Sequence, residues 1–260
     1  MAAAGSTSTW ERIVAPLAVG VLGLLIWQIL VGVVGVSAYL LPAPAEIAAE
    51  FASNAGPIAE GAVITGSNAA IGLLAGTIIG VLLAGIASRL SVIDAMLAPV
   101  VAGLAVIPIV ALAPVLNSMF GADSEVGRQI IAAIASFVPI FINTLRGLRQ
   151  TTPLQRDMMR AYAASSGQVF RILTLPTAAP FLLTGIRLAS SLAVISALVA
   201  EYFGGPRGGL GSFISTSAAT SAYARAWAYV GAAIVLGLAL YLLTVLLERT
   251  ITARLTPSTT

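Results

Sequence analysis

The sequence contains no cysteine, no histidine and no lysine, and only 9% of its 260 residues are charged. Without cysteine and histidine, the chain cannot form disulfides, thiolate nucleophiles, imidazole bases or the common His/Cys metal sites. Without lysine it cannot build a Walker-type phosphate loop, in which a lysine contacts the β- and γ-phosphates. We therefore expect no catalytic residues, no metal site and no ATP hydrolysis by this chain.

Polar residues are too few to cover a water-soluble core. Apolar residues make up 58% of the chain and its mean hydropathy is +1.00, whereas a soluble domain is about half apolar and roughly a quarter charged. The solvent must be lipid, and an all-α integral membrane protein is predicted. The net charge of +3 then indicates a bias of membrane topology, not nucleic-acid binding.

Six transmembrane helices are predicted from weakly charged stretches of roughly 20 residues, at 13–35, 63–87, 95–117, 128–147, 177–202 and 226–247. They form a single transmembrane domain over residues 1–260, with tails at 1–12 and 250–260 and a connection at 148–176. The start has no basic region before the first span, and its apolar run is longer than the roughly 7–15 residues of a signal peptide, so a cleaved signal peptide is not expected.

The arginines predict the orientation of the helices. With the N-terminus inside, cytoplasmic segments hold nine arginines, external segments hold Arg207 and Arg225, and Arg128 marks the outer end of a span. Both termini are therefore predicted to be cytoplasmic.

Small residues and prolines predict local features of two spans. In the second span Gly72, Gly76, Gly80 and Ala84 share one helical face, which favours close helix packing in lipid. The third span carries three prolines, Pro99, Pro108 and Pro114, and is therefore predicted to be bent.

The connection between the fourth and fifth spans concentrates basic charge. Around it lie five of the thirteen arginines against one acid, Asp157. Its apolar residues recur at helical spacing in two groups, which predicts two short amphipathic helices separated by a bend. Periodicity leaves two interpretations open: an interfacial helix on anionic lipid, or a docking element for a soluble partner.

The segment "RAYAASSGQVFRILTLP" resembles the EAA loop of ABC importer permeases, in the version typical of the nitrate/sulfonate/taurine branch. The matching positions are Ala163-Ala164-Ser165, Gln168, Phe170-Arg171 and Leu175-Pro176, and Asp157 takes the place of the family's Glu. Ala163 stands where the family has a glycine at the bend. If this position needs a positive φ, alanine is strained there, and Gly167 is an alternative place for the flexibility.

Four further stretches resemble the same branch, in the order in which the family has them. They are "LLPAPAEI", "VIPIVALAPVL" (106–116), "FVPIFINTLRGLR" (137–149) and "GIRLASSLAVISALVAEYFGGPRGGLG" (185–211). The last of these contains "GGPRGGLG", which we predict to be a turn and not a phosphate cradle, because it lies outside and lacks lysine.

The resemblance implies a MetI-like core of five helices, spans two to six, preceded by one peripheral helix. It implies two permease subunits in a bacterial inner membrane, each resting on a cytoplasmic ABC ATPase, and an extracytoplasmic binding protein that delivers substrate. The second permease subunit is either a copy of this chain or a different one. ATP and magnesium would belong to the ATPase, and no cofactor and no nucleic acid are expected on this chain.

The resemblance also implies which residues couple the permease to its ATPase: Asp157, Arg160, Ala161, Tyr162, Ala163, Ser165, Gly167, Gln168, Phe170, Arg171, Leu175 and Pro176. Tyr162 and Phe170 are the predicted knobs in the ATPase cleft. The alternative for both is burial against the permease's own helix ends.

Candidates for the translocation path are Pro108, Pro114, Asn143, Arg187, Ser190, Ser191 and Glu201. Arg187 is costly in mid-span, and a structural role is favoured over attraction of an anionic substrate. Glu201 is either part of an outer gate or an interfacial carboxylate, and we favour the latter. The serines line the path or bond back to their own helix.

Function classes other than an ATP-driven permease find less support. An ion-coupled secondary transporter normally needs embedded carboxylates or histidines, and the centres of the predicted spans have none. A membrane enzyme needs a nucleophile or an acid/base pair. The branch handles nitrate, sulfonates and taurine as well as thiamine-precursor pyrimidines and riboflavin, and the sequence only faintly favours the heteroaromatic solutes.

Overall fold

The computed structural model of the protein describes residues 9–37, 39, 41–121, 124–204 and 208–255, with 9–13 and 254–255 described by their backbone alone. These residues form helices and turns, and the described part of the chain contains no β-strand. Residues 1–8 and 256–260 of the predicted tails lie outside the described residues, as does Arg207 in the predicted turn.

The helices of the described chain run in the order α1 (Thr9–Val34), α2 (Pro44–Ser53), α3 (Ala55–Ala87), α4 (Ser91–Val106), α5 (Ile109–Phe120), α6 (Val126–Leu148), α7 (Pro153–Ala161), α8 (Ser166–Val169), α9 (Leu175–Phe203), α10 (Leu210–Ala219) and α11 (Tyr223–Leu255). A π-helical turn, Phe170–Thr174, joins α8 to α9. The all-α membrane fold is confirmed. The short helices α2 and α10 were not predicted.

Among the described residues, five helical runs are long and apolar enough to cross a membrane: α1, α3, α6, the run from α8 to α9, and α11. The predicted third span, 95–117, differs, because α4 and α5 meet at an angle of 96°. Pro108 causes the break. It has no N–H to donate, and it forces Ile107 into an extended conformation with ψ 125.

Contacts between α3 and α6 show that the bent pair nevertheless crosses the membrane. Gly72 packs against Ala132 and Gly80 against Ile140, so the two helices run parallel. A chain that leaves α3 at one face must return to the opposite face before α6 can start. The pair α4–α5 makes that return, in agreement with six predicted crossings.

The glycine face of α3 packs closely against α6, as predicted. A Cβ on Gly76 would lie 2.7 Å from the Ala133 carbonyl oxygen, and a Cβ on Gly72 would overlap Ala132. Ala84, which extends this face, is fully buried. The small residues therefore let the backbones approach each other.

Helices α9 and α11 complete the body, and α1 lies at its periphery. Gly185 of α9 packs against Asn143 of α6, and Gly147 of α6 packs against Ala178 of α9, so these two helices are antiparallel. Helix α1 touches the body near its C-terminal end, where the Trp27 and Trp227 rings meet edge to face at 5.8 Å. This arrangement fits one peripheral helix beside a five-helix core.

Candidate functional site

The predicted coupling segment begins with α7, whose start is fixed by a capping box. Thr152 Oγ1 accepts a hydrogen bond from the Gln155 amide at 3.3 Å, and Gln155 Oε1 accepts one from the Thr152 amide at 2.9 Å. Pro153 occupies the first turn, where its missing N–H costs nothing. The helix is thus defined locally, without extensive packing against another described helix.

The end of α7 is a Schellman motif built on an alanine. The Ala163 amide donates to the Arg160 carbonyl at 2.8 Å and the Ala164 amide to the Met159 carbonyl at 3.0 Å. This pattern needs a left-handed residue, and Ala163 has φ 51. The position therefore does need a positive φ. Gly167 lies inside α8 and is not among the residues with positive φ, so it does not replace the motif glycine.

A second capping box starts α8. Ser165 Oγ accepts from the Gln168 amide at 3.4 Å, and Gln168 Oε1 accepts from the Ser165 amide at 2.7 Å. These two motif residues therefore hold the shape of the segment. The Ser-x-x-Gln and Thr-x-x-Gln spacings were a sequence signal for both helix starts that our reading of the sequence missed.

The segment returns to the membrane through the π-helical turn. The Leu175 amide donates to the Phe170 carbonyl, five residues earlier. Pro176, which follows, has no N–H for the Ile172 carbonyl and its ring conflicts with a regular helix there. The wider turn accommodates Pro176 without interrupting the helix.

The two predicted knobs have different surroundings. Tyr162 is 78% exposed at the end of α7. Phe170 is 36% exposed, and the guanidinium carbon of Arg89, next to the end of α3, lies 5.5 Å from its ring centroid. Tyr162 is free to enter a partner's cleft, whereas Phe170 already packs next to the end of α3 in its own chain.

The remaining coupling candidates lie at the surface of the same segment. Asp157 pairs with Arg160 at 3.0 Å, and both side chains are mostly exposed, so this pair contributes little to stability. Ala161, Ser165, Gly167, Gln168, Arg171 and Leu175 are exposed, and Pro176 is half-buried. The structure therefore brings the whole coupling set together in one protruding element.

The translocation-path candidates do not converge in the same way. Arg187 Nη1 lies 3.1 Å from Glu248 Oε2 on α11, which agrees with the structural role favoured for it. Ser190 is buried and donates to the Arg187 carbonyl at 2.7 Å. Asn143 Nδ2 donates a side-chain hydrogen bond to the Pro139 carbonyl of its own helix at 2.8 Å.

Three path candidates lie elsewhere. Pro108 and Pro114 are exposed on the bent pair. Ser191 lines an apolar groove of about 460 Å³ between α9, α10 and α11. Their role in the path stays a prediction.

Glu201 is not the interfacial carboxylate that we favoured. It is fully buried, and its Oε2 accepts hydrogen bonds from Thr65 Oγ1 at 2.7 Å and from the Gly211 amide at 3.1 Å. Thr65 Oγ1 also accepts from the Leu210 amide at 2.9 Å. The carboxylate thus connects α9, α3 and the start of α10, and the expectation failed because α10 covers it.

A second buried group adjoins Glu201 and was missed in the sequence. Arg128, 1% exposed, pairs with Glu125 at 2.7 Å, and Asn68 donates to Glu125 Oε2 at 2.6 Å and to Glu201 Oε1 at 3.4 Å. Thr65 and Asn68 extend the glycine face of α3 at helical spacing. Two polar residues, Thr65 and Asn68, on a helix face predicted to pack closely were the sequence signal for this buried polar cluster.

These features define a class: a multi-pass helical membrane protein whose described residues include an exposed, capped helical element between two of its crossings. Residues 76–253 match the family model described as binding-protein-dependent transport system inner membrane component. The chain belongs to this family.

Curated relatives include three transport permeases. The chain is 31% identical to the riboflavin transport system permease protein RibX of Chloroflexus aurantiacus over 92% of this chain and 89% of that relative. It is 31% identical to the formylaminopyrimidine transport permease protein ThiX of Halalkalibacterium halodurans over 73% and 75% of the two chains. It is also 31% identical to the putative aliphatic sulfonates transport permease protein SsuC of Bacillus subtilis, over 70% and 67%.

The protein is the permease subunit of an ABC importer for small solutes. Membership of this family implies that it works with an ATPase and with a substrate-binding protein.

Proposed function

We propose that a cytoplasmic ATPase binds the segment 152–176 and drives transport through this chain. The observation that carries the proposal is a stripe of exposed apolar side chains on α7: Leu154 is 79%, Met158 55% and Tyr162 78% exposed. They follow one another at spacings of four residues, so they share one side of the helix. Such an exposed apolar stripe favours a protein partner that covers it.

The distribution of arginine supports a cytoplasmic position for this segment. Arg89 follows the end of α3, Arg146 and Arg149 lie at the end of α6, and Arg249 lies in the last two turns of α11, all toward the side of α7. On the opposite side, Arg128 pairs with Glu125 and Arg225 pairs with Glu50 at 2.9 Å. From the positive-inside rule we infer that the side of α7 is the cytoplasm and that both termini face it. We place the protein in a bacterial inner membrane and assign ATP and magnesium to the ATPase, leaving this chain without a catalytic role.

We further propose that the solute is a small heteroaromatic molecule. The similarity to the riboflavin permease extends over nearly the whole chain, and that to the formylaminopyrimidine permease over about three quarters. The groove beside Ser191 is lined by apolar and aromatic side chains, including Tyr202 and Phe203, which suit a flat ring better than nitrate.

Docking of the ATPase is tested with Tyr162→Ala and Met158→Ala in the assembled importer. Truncating a buried interface aromatic costs about 2 kcal/mol, so ATPase binding should weaken roughly thirty-fold. Tyr162→Phe, which keeps the ring, and Val92→Ala, which removes an exposed apolar group at the start of α4, are the controls. Unchanged ATPase binding and unchanged stimulation of ATP turnover in both alanine variants would refute the docking surface.

The solute is tested by uptake into proteoliposomes that hold the permease, its ATPase and its binding protein. ATP-dependent uptake of riboflavin or formylaminopyrimidine, in excess over an alkanesulfonate and nitrate, is expected. Preference for the sulfonate would refute the heteroaromatic class, and uptake driven by an ion gradient without ATP would refute the ATP-driven mechanism.

A further inference from the structure

A basic groove lies on the membrane side of the segment 152–176. It has a volume of about 880 Å³, and four arginines line it: Arg89, Arg156, Arg160 and Arg171. The described residues that line it include no Asp or Glu; Asp157, which pairs with Arg160 at 3.0 Å, lines a neighbouring pocket. Such a concentration of positive charge suits an anionic group.

Two of the arginines are held in place by their neighbours. Arg89 lies over the face of the Phe170 ring, a contact that does not use its N–H donors. Arg156 Nε donates to Thr151 Oγ1 at 2.9 Å, and Thr151 is 7% exposed. Pre-positioned guanidinium groups are well suited to bind a phosphate through charge-assisted hydrogen bonds.

An apolar groove continues directly from the basic one. It has a volume of about 380 Å³ and shares Ser88, Arg89, Leu148 and Phe170 with its neighbour. Its other walls come from α3 and α9, among them Leu82, Ile86, Leu175 and Leu182, and from Thr144 of α6. The basic groove therefore opens into an apolar groove that runs along two transmembrane helices.

The boundary between the two grooves lies at the membrane surface. Helix α3 ends at Ala87 and α9 begins at Leu175, so Arg89 and Arg171 stand at the level of the head groups. Basic pockets between transmembrane helices on the cytoplasmic side are suited to anionic head groups, and the adjoining apolar channel suits an acyl chain.

We propose that these two grooves form one binding site for an anionic phospholipid of the cytoplasmic leaflet. The arginines bind its phosphate, and the apolar groove between α3 and α9 takes one acyl chain. The lipid lies on the opposite side of the segment from the stripe of Leu154, Met158 and Tyr162. This site does not depend on docking of the ATPase, so each proposal can fail without the other.

The charge requirement is tested on the full-length permease, alone and assembled with its ATPase, in nanodiscs of phosphatidylcholine and phosphatidylglycerol in equal parts. Lipid that remains bound after transfer to detergent is identified by native mass spectrometry. Wild type should retain phosphatidylglycerol in preference to phosphatidylcholine, and Arg89→Gln/Arg171→Gln should retain several-fold less. The matched control, Arg146→Gln/Arg249→Gln, removes the same charge on the same side without altering the groove.

The apolar groove is tested separately with Gly85→Leu. Gly85 lines this groove, and a Cβ there meets no atom within 4 Å, so the leucine should fill the channel without disturbing the fold. Gly103→Leu, at an equally open position on α4, is the control. Gly85→Leu should reduce lipid retention several-fold, and Gly103→Leu should leave it unchanged.

Three results would overturn the proposal. The first is equal retention of the two lipids by wild type. The second is equal loss in the groove variants and in their controls. The third is release of the phosphatidylglycerol when the ATPase binds, because an acidic group of the ATPase would then occupy the basic groove in place of the lipid. Monodisperse elution of each variant in size-exclusion chromatography establishes that loss of lipid does not reflect unfolding.

Discussion

Arg187 and Glu248 are joined across α9 and α11 by an ion pair of 3.1 Å between Nη1 and Oε2. Thr184 Oγ1 donates to the other carboxylate oxygen of Glu248 at 3.2 Å. Within the apolar part of a membrane, each charge depends on the other to offset its desolvation. Arg187 therefore stabilises the contact between α9 and α11, and this pairing argues against a free arginine that attracts anionic solutes.

Removing one partner of this pair should destabilise the protein more than removing both. Arg187→Gln or Glu248→Gln is expected to lower the free energy of unfolding by about 2 kcal/mol. Breaking a fully buried pair costs roughly 3–5 kcal/mol. The loss should be smaller here because the two side chains are 33% and 19% exposed. The double variant should be more stable than either single variant. Denaturant unfolding in detergent measures this coupling; additive losses would show that the pair contributes no coupling energy.

The contact between α3 and α6 should not tolerate a single methyl group. Gly76→Ala places a Cβ 2.7 Å from the Ala133 carbonyl oxygen and 2.8 Å from Ser136 Cβ, and overpacking of this kind costs about 1–3 kcal/mol. Gly85→Ala, on the same helix with open space around it, should be neutral or slightly stabilising. Thermal unfolding in detergent compares the two, and equal midpoints would contradict the close packing.

Restoring the motif glycine should stabilise the coupling segment. Ala163 adopts φ 51, a conformation that costs an alanine about 1 kcal/mol or more relative to glycine. Ala163→Gly should therefore slow hydrogen exchange of the Ala164 amide, which closes the Schellman motif. Ala161→Gly, inside α7, should have the opposite effect. Faster exchange in Ala163→Gly would mean that the strain is not present in solution.

Truncation of Glu201 should destabilise the junction of α3, α9 and α10. Glu201→Ala leaves the Thr65 hydroxyl and the Gly211 amide without their acceptor, and each unsatisfied buried group costs about 1–3 kcal/mol. Glu201→Gln keeps an oxygen that both donors can reach, so its loss should be clearly smaller. Thermal unfolding, together with exchange of the Gly211 amide, distinguishes the variants; equal effects would indicate that these hydrogen bonds contribute little.

The coupling segment shows how far local sequence information extends. The order of the motif, its two helices and the strained bend at Ala163 were all accessible, because capping and backbone conformation depend on neighbouring residues. The different surroundings of Tyr162 and Phe170 were not accessible. They depend on where the end of α3 places Arg89, and this residue is remote in sequence.

Hydropathy and the arginine distribution were enough to place the chain in lipid, to predict six crossings, and to identify the connection that carries the basic charge. Hydropathy and charge act through the solvent, so they need no knowledge of which helices touch. The tertiary structure decided that Pro108, and not Pro99 or Pro114, breaks the third crossing at 96°. It also decided that Glu201 is buried beside Thr65, 136 residues away in the chain. Partners of buried polar groups are fixed by helix packing over long sequence separations, and no local pattern specifies them.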